Sequence, residues 1–168
     1  MDARNRFAAG LIFLLGCASA GPPPPSSPNP LLYQPAPEFR RASVQGDIIT
    51  STPGHVMVVE FFARWCVPCQ RRLPAVEKLR GDVSGVSFVG VSLDERMQDA
   101  LVQVRAYHLG FPVILDVGRV LAGRFRVTEL PAVIVVGKDG RIAWFGGPEQ
   151  PEDALRRAVI TAARSDSR

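Results

Sequence analysis

The stretch Val56-Met57-Val58-Val59-Glu60-Phe61-Phe62-Ala63-Arg64-Trp65-Cys66-Val67-Pro68-Cys69 decides the fold. Its apolar first half predicts a buried β-strand over Val56–Phe62, and the pattern after the turn predicts a helix over 67–80. Two cysteines separated by two residues at a strand-to-helix turn can close a small ring and open it again. The helix N-terminus presents its positive dipole end to the first thiol, which favours the thiolate. The thiolate is the species that attacks disulfides. The spacing therefore points to thiol–disulfide exchange, with Cys66 as nucleophile and Cys69 as the resolving thiol.

Two other readings compete. Half of a zinc site would show the same spacing, but it needs two further Cys or His ligands. The chain offers Cys17, His55 and His108, and none stands at a ligand spacing. A structural crosslink is the second, yet so short a loop constrains little of the unfolded chain. No metal site and no cofactor are expected.

A length of 168 residues suggests one domain, and 46% hydrophobic residues suffice for a core. The formal net charge of +4 is modest. No basic run or aromatic-studded basic face accompanies it, so nucleic acid is not an expected partner. Lys78 and Lys138 are the only lysines beside many arginines, a bias that looks like genome composition.

Arg4 and Arg6 precede an apolar core at 7–15, too short to span a bilayer. The core ends at Leu14-Leu15-Gly16-Cys17, which resembles the bacterial lipoprotein cleavage box. That implies removal of residues 1–16 as a signal peptide and lipidation of Cys17. The domain would then be exported and tied to a bacterial membrane, facing the periplasm or the outer surface. The alternative is an ordinary secretory peptide, or a retained anchor, with a chance cysteine. Ala18 follows Cys17 in place of the Asp associated with inner-membrane retention in enteric bacteria, so outer-membrane sorting is allowed. Residues 17–37 are expected to be a tether, with Pro22 to Pro25 consecutive and Pro28, Pro30, Pro35 and Pro37 further along. Proline removes backbone donors and fixes φ, so a semi-rigid spacer is expected. At about 3 Å per residue it would reach up to ~60 Å.

The domain is expected over 38–168. A hairpin is predicted through 39–44 and 48–50, then the central strand and the cysteine-bearing helix. A second buried strand is predicted at 85–91, a helix at 95–109, a short strand at 112–116 and a short helix at 120–125. Strands at Ala132–Val136 and 142–145 flank Gly137-Lys138-Asp139-Gly140, strong hairpin chemistry. A closing helix is predicted over 151–164. This order indicates an α/β sandwich around a mixed sheet.

With these residues placed, residues 36–163 resemble the thioredoxin superfamily. More narrowly they resemble its TlpA/ResA-like group of membrane-anchored periplasmic thiol oxidoreductases. The block from Phe61 to Cys69 matches the family's active-site strand and turn. Pro74, five residues after Cys69, stands at the helix-kinking proline. Glu60 takes the place of thioredoxin's buried aspartate, six residues before the nucleophile. Leu130-Pro131 matches the cis-proline loop. The long stretch between Val91 and Phe125 resembles the group's strand–helix insertion. Many members carry an acid three residues after the second cysteine. Here that residue is Arg72, and Glu60 supplies the acid.

The resemblance implies a thioredoxin fold and a mechanism. Cys66 attacks a substrate disulfide, and Cys69 resolves the mixed disulfide. Glu60, desolvated beneath the sheet, would have a raised pKa and take the Cys69 proton through a water. A solvent-facing strand residue is the other reading of Glu60. A cis Pro131 would set the Leu130 backbone beside the sulfurs to pair with an extended substrate segment. A trans proline opening a strand is its alternative. Trp65 would form a flat apolar rim beside Cys66, or belong to the core. Arg64, Arg71 and Arg72 are expected to be solvated helix and loop cations that colour the docking face.

Val67-Pro68 lacks the histidine that strongly stabilises the thiolate of periplasmic oxidases, so a reductant is favoured. The resemblance implies a membrane thiol-electron transporter upstream. Downstream it implies disulfide-bearing exported proteins, among them apocytochrome haem-site cysteines, copper-site cysteines of oxidase assembly factors, or a peroxidase. Other classes are a non-catalytic or metal-delivering module such as a copper chaperone, and a peroxidase proper. The chaperones use C-x-x-x-C with a distant histidine. A peroxidase would want Thr or Ser where this chain has Ala63.

Overall fold

The structure, a computed structural model, describes residues 29–165. Cys17 and the stretch expected to be a signal peptide lie outside the described residues. The elements run β1 Arg40–Ala42, β2 Ile48–Thr50, β3 Val56–Phe62, α1 Val67–Asp82, β4 Val86–Ser92, α2 Met97–Ala106 and β5 Val113–Leu115. A 3-10 turn at Val117–Arg119 leads into α3 Val120–Arg124, followed by β6 Ala132–Val136, β7 Ile142–Gly146 and α4 Glu152–Arg164.

Five strands form one sheet in the order β5-β4-β3-β6-β7. β3 runs parallel to β4 and antiparallel to β6. This is the mixed α/β architecture expected, with helices flanking the sheet. Every residue of β3 is buried, because the strand is central and both of its faces are covered. Successive side chains point to opposite faces. Phe61 packs on Phe125, just after α3, with ring centroids 5.7 Å apart. Glu60 faces the other way, toward Arg72 of α1. The stretch expected as an insertion supplies α2, β5 and α3, and β5 extends the sheet at its edge.

Glu60 lies in register between Gly90 of β4 and Val133 of β6. Gly90 has no room for a side chain. A Cβ there would lie 2.9 Å from the Phe62 ring and 3.0 Å from Val113.

One detail differs from expectation. The end of the expected tether is packed on the domain from Asn29 onward. Asn29 is buried and donates through Nδ2 to the Phe125 carbonyl at 3.1 Å. Leu32 and Pro35 form bridges to Ile142 and Arg141, and Ala36 N–H donates to the Gly140 carbonyl. Proline withholds its own donor but leaves those of Leu32, Tyr33, Gln34 and Ala36 free to pair. The hairpin β1–β2 forms a separate two-stranded sheet whose loop reaches the edge strand. Gln45 receives the Val113 N–H on Oε1 and donates through Nε2 to the Phe111 carbonyl. Edge strands present unpaired backbone groups, and this contact covers some of them.

Candidate active site

The site forms where β3 gives way to α1. Ala63 is buried, and the chain turns through Arg64 and Trp65 into Cys66, the N-cap of α1 at φ −87°, ψ 97°. Four amides at a helix start lack intrahelical partners. The Cys69 N–H finds one in Cys66 Sγ, at 3.2 Å. No acid stands in the first turn of α1 to oppose a thiolate there. Cys66 and Cys69 form a disulfide with Cα atoms 5.3 Å apart. Both are buried, and Cys66 retains the little exposure there is. Pro68 sits at the start of the helix, where its missing donor costs nothing, and Pro74 lies inside it.

Glu60 is fully buried within the sheet, so of its two readings the solvent-facing one is wrong. Neither carboxylate oxygen has a hydrogen-bond partner. Arg72 Nε stands 3.6 Å from Oε1, an ion pair without a hydrogen bond. Desolvation pushes the carboxyl up to about 7, against the smaller opposing pull of the Arg72 charge. At neutral pH this group is poised both to take a proton and to give one.

Arg72 is therefore not the solvated cation expected. Its side chain is only 13% exposed, and Nη1 donates to the Gly147 carbonyl at 3.1 Å. The sequence does carry a signal for it. Arg72 stands three residues after Cys69 and four before Val76, on the buried stripe of α1.

The Leu130–Pro131 peptide is cis. Trp65 is 59% exposed, with the Arg119 guanidinium 5.9 Å from its ring centroid, so its core reading is excluded. Val67, Val117 and Val120 are exposed as well. Val67 stands between the two cysteines in the chain, and Val117 and Val120 lie on either side of Arg119, so apolar side chains are exposed among the charged ones near Trp65.

Asp94 is a site residue that the sequence reading misses. It follows β4, is buried, and receives the Arg64 N–H on both carboxylate oxygens at 3.0 and 3.1 Å. Ser92 Oγ donates to it at 2.8 Å, and the Leu93 N–H donates to the Phe62 carbonyl. Arg64 continues outward to Asp99 at 2.6 Å, which also pairs with Arg96. These contacts hold the turn that carries Trp65 and Cys66. Among the described residues no cluster of three or more His, Cys, Asp or Glu is placed to hold a metal ion.

The AhpC/TSA family model matches residues 32–145. The chain is 29% identical over 124 residues to the thiol-disulfide oxidoreductase ResA of Bacillus cereus, covering 71% of this chain and 72% of that protein. It is 27% identical over 117 residues to the thioredoxin-like protein YneN of Bacillus subtilis, covering 65% and 67%. Among solved structures, dsbF of Mycobacterium tuberculosis superposes with a TM-score of 0.70 at 26% identity, over 76% of this chain and 98% of that one. StoA of Bacillus subtilis, at 22% identity and a TM-score of 0.64, shares the fold over 75% and 98%. The match over residues 32–145 puts the chain in the AhpC/TSA family, within the thioredoxin superfamily, and the Cys66–Cys69 pair makes it a thiol–disulfide oxidoreductase.

Proposed function

We propose that this protein is an exported, membrane-tethered reductase of disulfides in other exported proteins. The observation that carries the reading is the Cys66–Cys69 pair at the start of α1, with Cys66 Sγ accepting the Cys69 N–H. In the dithiol form, that amide and the helix terminus favour the Cys66 thiolate. The thiolate attacks one sulfur of a substrate disulfide, and the other sulfur leaves as a thiolate and takes a proton. Cys69 gives its proton to Glu60 through a water and attacks Cys66 Sγ. The second substrate sulfur leaves as a thiolate and takes a proton from Glu60 or water, and the enzyme is left as the disulfide. Two electrons from a dithiol donor, proposed to be a membrane thiol-electron transporter, restore it.

Leu130 and Pro131 would pair with the substrate backbone, and the exposed Trp65 would cover its apolar side chains. Val67-Pro68 between the cysteines supports the reducing direction. Cytochrome c or copper-site maturation would fit such a reductase. The tether rests on Leu14-Leu15-Gly16-Cys17 and on lipid at Cys17. Among the described residues no helix is long and apolar enough to cross a membrane.

The test is trapping in the native host with Cys69→Ala, which should hold exported proteins as mixed disulfides on Cys66. Cys66→Ser should hold none, and Cys17→Ser should leave the membrane fraction. Equilibration with glutathione should give a potential well below the roughly −120 mV of a strong periplasmic oxidase. A value near that figure overturns the reducing direction. Stoichiometric copper binding without insulin reduction would favour a chaperone instead.

A further inference from the structure

A groove of about 480 Å³ begins at Pro68 and Pro131, beside the disulfide, and runs between α1 and α4. Its walls carry four cations: Arg71, Arg72 and Lys78 from α1, and Arg156 from α4. Two already face an acid at ion-pair distance, Arg72 with Glu60 and Arg156 with Asp82. The acid in the wall, Asp153, is held by Arg157. Arg71 and Lys78 are exposed and make no ion pair among the described residues. Seven residues apart on a helix, they lie two turns along one face, about 10 Å from each other. A polyproline-II-like chain covers that distance in about three residues, one full turn, so side chains three apart share a face.

From this placement we infer that the groove binds an acidic segment of the substrate polypeptide, with carboxylates about three residues apart on one side of its disulfide cysteine. The inference rests on the disulfide-exchange reading of Cys66 and names the class of substrate that site prefers. The groove opens beside both Pro68 and the cis peptide, so a chain whose sulfur reaches Cys66 can continue directly into it. A line of like charge between low-dielectric walls raises the local concentration of the opposite charge. The protein's own N-terminal segment does not fit, because residues 17–28 contain no acid.

The test uses the full chain, reduced by dithiothreitol, and three disulfide-linked peptides. These differ only in carrying Glu, Gln or Lys at two positions three residues apart. The acidic peptide should exceed the Lys peptide in kcat/KM by about tenfold at low salt, as two partly exposed ion pairs allow. The preference should collapse near 1 M salt, where the Debye length falls to about 3 Å. Arg71→Glu combined with Lys78→Glu should invert the order of the peptides, and Arg71→Gln with Lys78→Gln should level it. Near-UV circular dichroism checks that both variants are folded. Equal kcat/KM for all three peptides, with normal turnover of the uncharged 2-hydroxyethyl disulfide, overturns the groove and spares the exchange reading. Failure on 2-hydroxyethyl disulfide overturns both. Phosphatidylglycerol vesicles that sediment the wild-type protein but not the double Glu variant, with no peptide order, would assign the cations to lipid headgroups and overturn the proposal.

Discussion

At the residue scale the chemistry turns on one carboxyl and one guanidinium. Glu60 sits where neither of its oxygens is hydrogen-bonded, and the only cation facing it at ion-pair distance among the described residues is Arg72, at 3.6 Å. Burial raises the carboxyl to about 7 while Arg72 restrains it. Taking the guanidinium away removes the restraint, so the carboxyl must move further up. An opposite charge this close is worth about one pKa unit or more. If Glu60 accepts the Cys69 proton, only its ionised form works, and the rising limb of turnover must move with it. Arg72→Gln should therefore shift that limb to higher pH by about one unit. Arg72→Lys, which keeps a charge, should restore part of the shift. Iodoacetamide alkylation of Cys66 reads the initial attack alone and should change less. An unmoved pH–rate profile in Arg72→Gln would show that Glu60 does not carry the proton. The two cysteines and Glu60 are legible because spacing and apolar neighbours mark them along the chain. Arg72 is harder to read, because a charged residue on a helix is ordinarily solvated. Its place on the Cys69–Val76 stripe is the one sign otherwise.

At the scale of elements, the turn between β3 and α1 is held by a partner thirty residues away. Asp94 has no local signature. It follows the strand β4, and its role arises only because β4 lies parallel to β3 and ends beside the same turn. Contacts of this kind are set by sheet register, and no periodicity along the chain announces them. Both carboxylate oxygens serve the Arg64 N–H, and Ser92 braces one of them. Asp94→Ala would leave that amide without its acceptor, at a cost of about 1–3 kcal/mol if water does not replace it. Hydrogen exchange at the Arg64 and Cys66 amides should quicken more than exchange in β6. A uniform loss of protection over the sheet would instead mean that Asp94 supports the whole fold rather than the turn. Asp116 works similarly further along. Its carboxylate receives the Leu121 and Ala122 amides and so begins α3, which the apolar spacing of 120–125 suggests without showing what caps it.

At the scale of the whole molecule, the elements easiest to read are those buried on both sides. β3, β4 and β6 appear in the sequence as largely apolar runs because neither face meets water over most of their length. The segment 29–37 has the composition of a spacer, and nothing within it announces a packed partner. Its bridges depend on β7 and the turn before it, more than a hundred residues away in the chain. The same central burial that makes β3 legible places a carboxyl at the middle of the sheet, and global stability must respond to pH through it. The Glu60 carboxyl titrates at 4.5 when solvated and at about 7 when folded. A carboxyl raised in this way contributes its full stability below the unfolded value, where it is neutral in both states. That contribution is lost as pH rises through the folded value, because the unfolded chain ionises it at no desolvation cost. Between pH 5 and pH 8 the loss integrates to about 2–3 kcal/mol. Glu60→Gln keeps the shape and removes the titration, and Arg72 keeps its bond to the Gly147 carbonyl. Urea unfolding of the two oxidised proteins should therefore diverge with rising pH, the variant gaining on the wild type across that window. Comparing the pair cancels every other titrating group. If the two stability curves ran parallel from pH 5 to pH 8, the carboxyl would have to be solvated or hydrogen-bonded in solution. The proton-carrying role of Glu60 would then lose its physical basis.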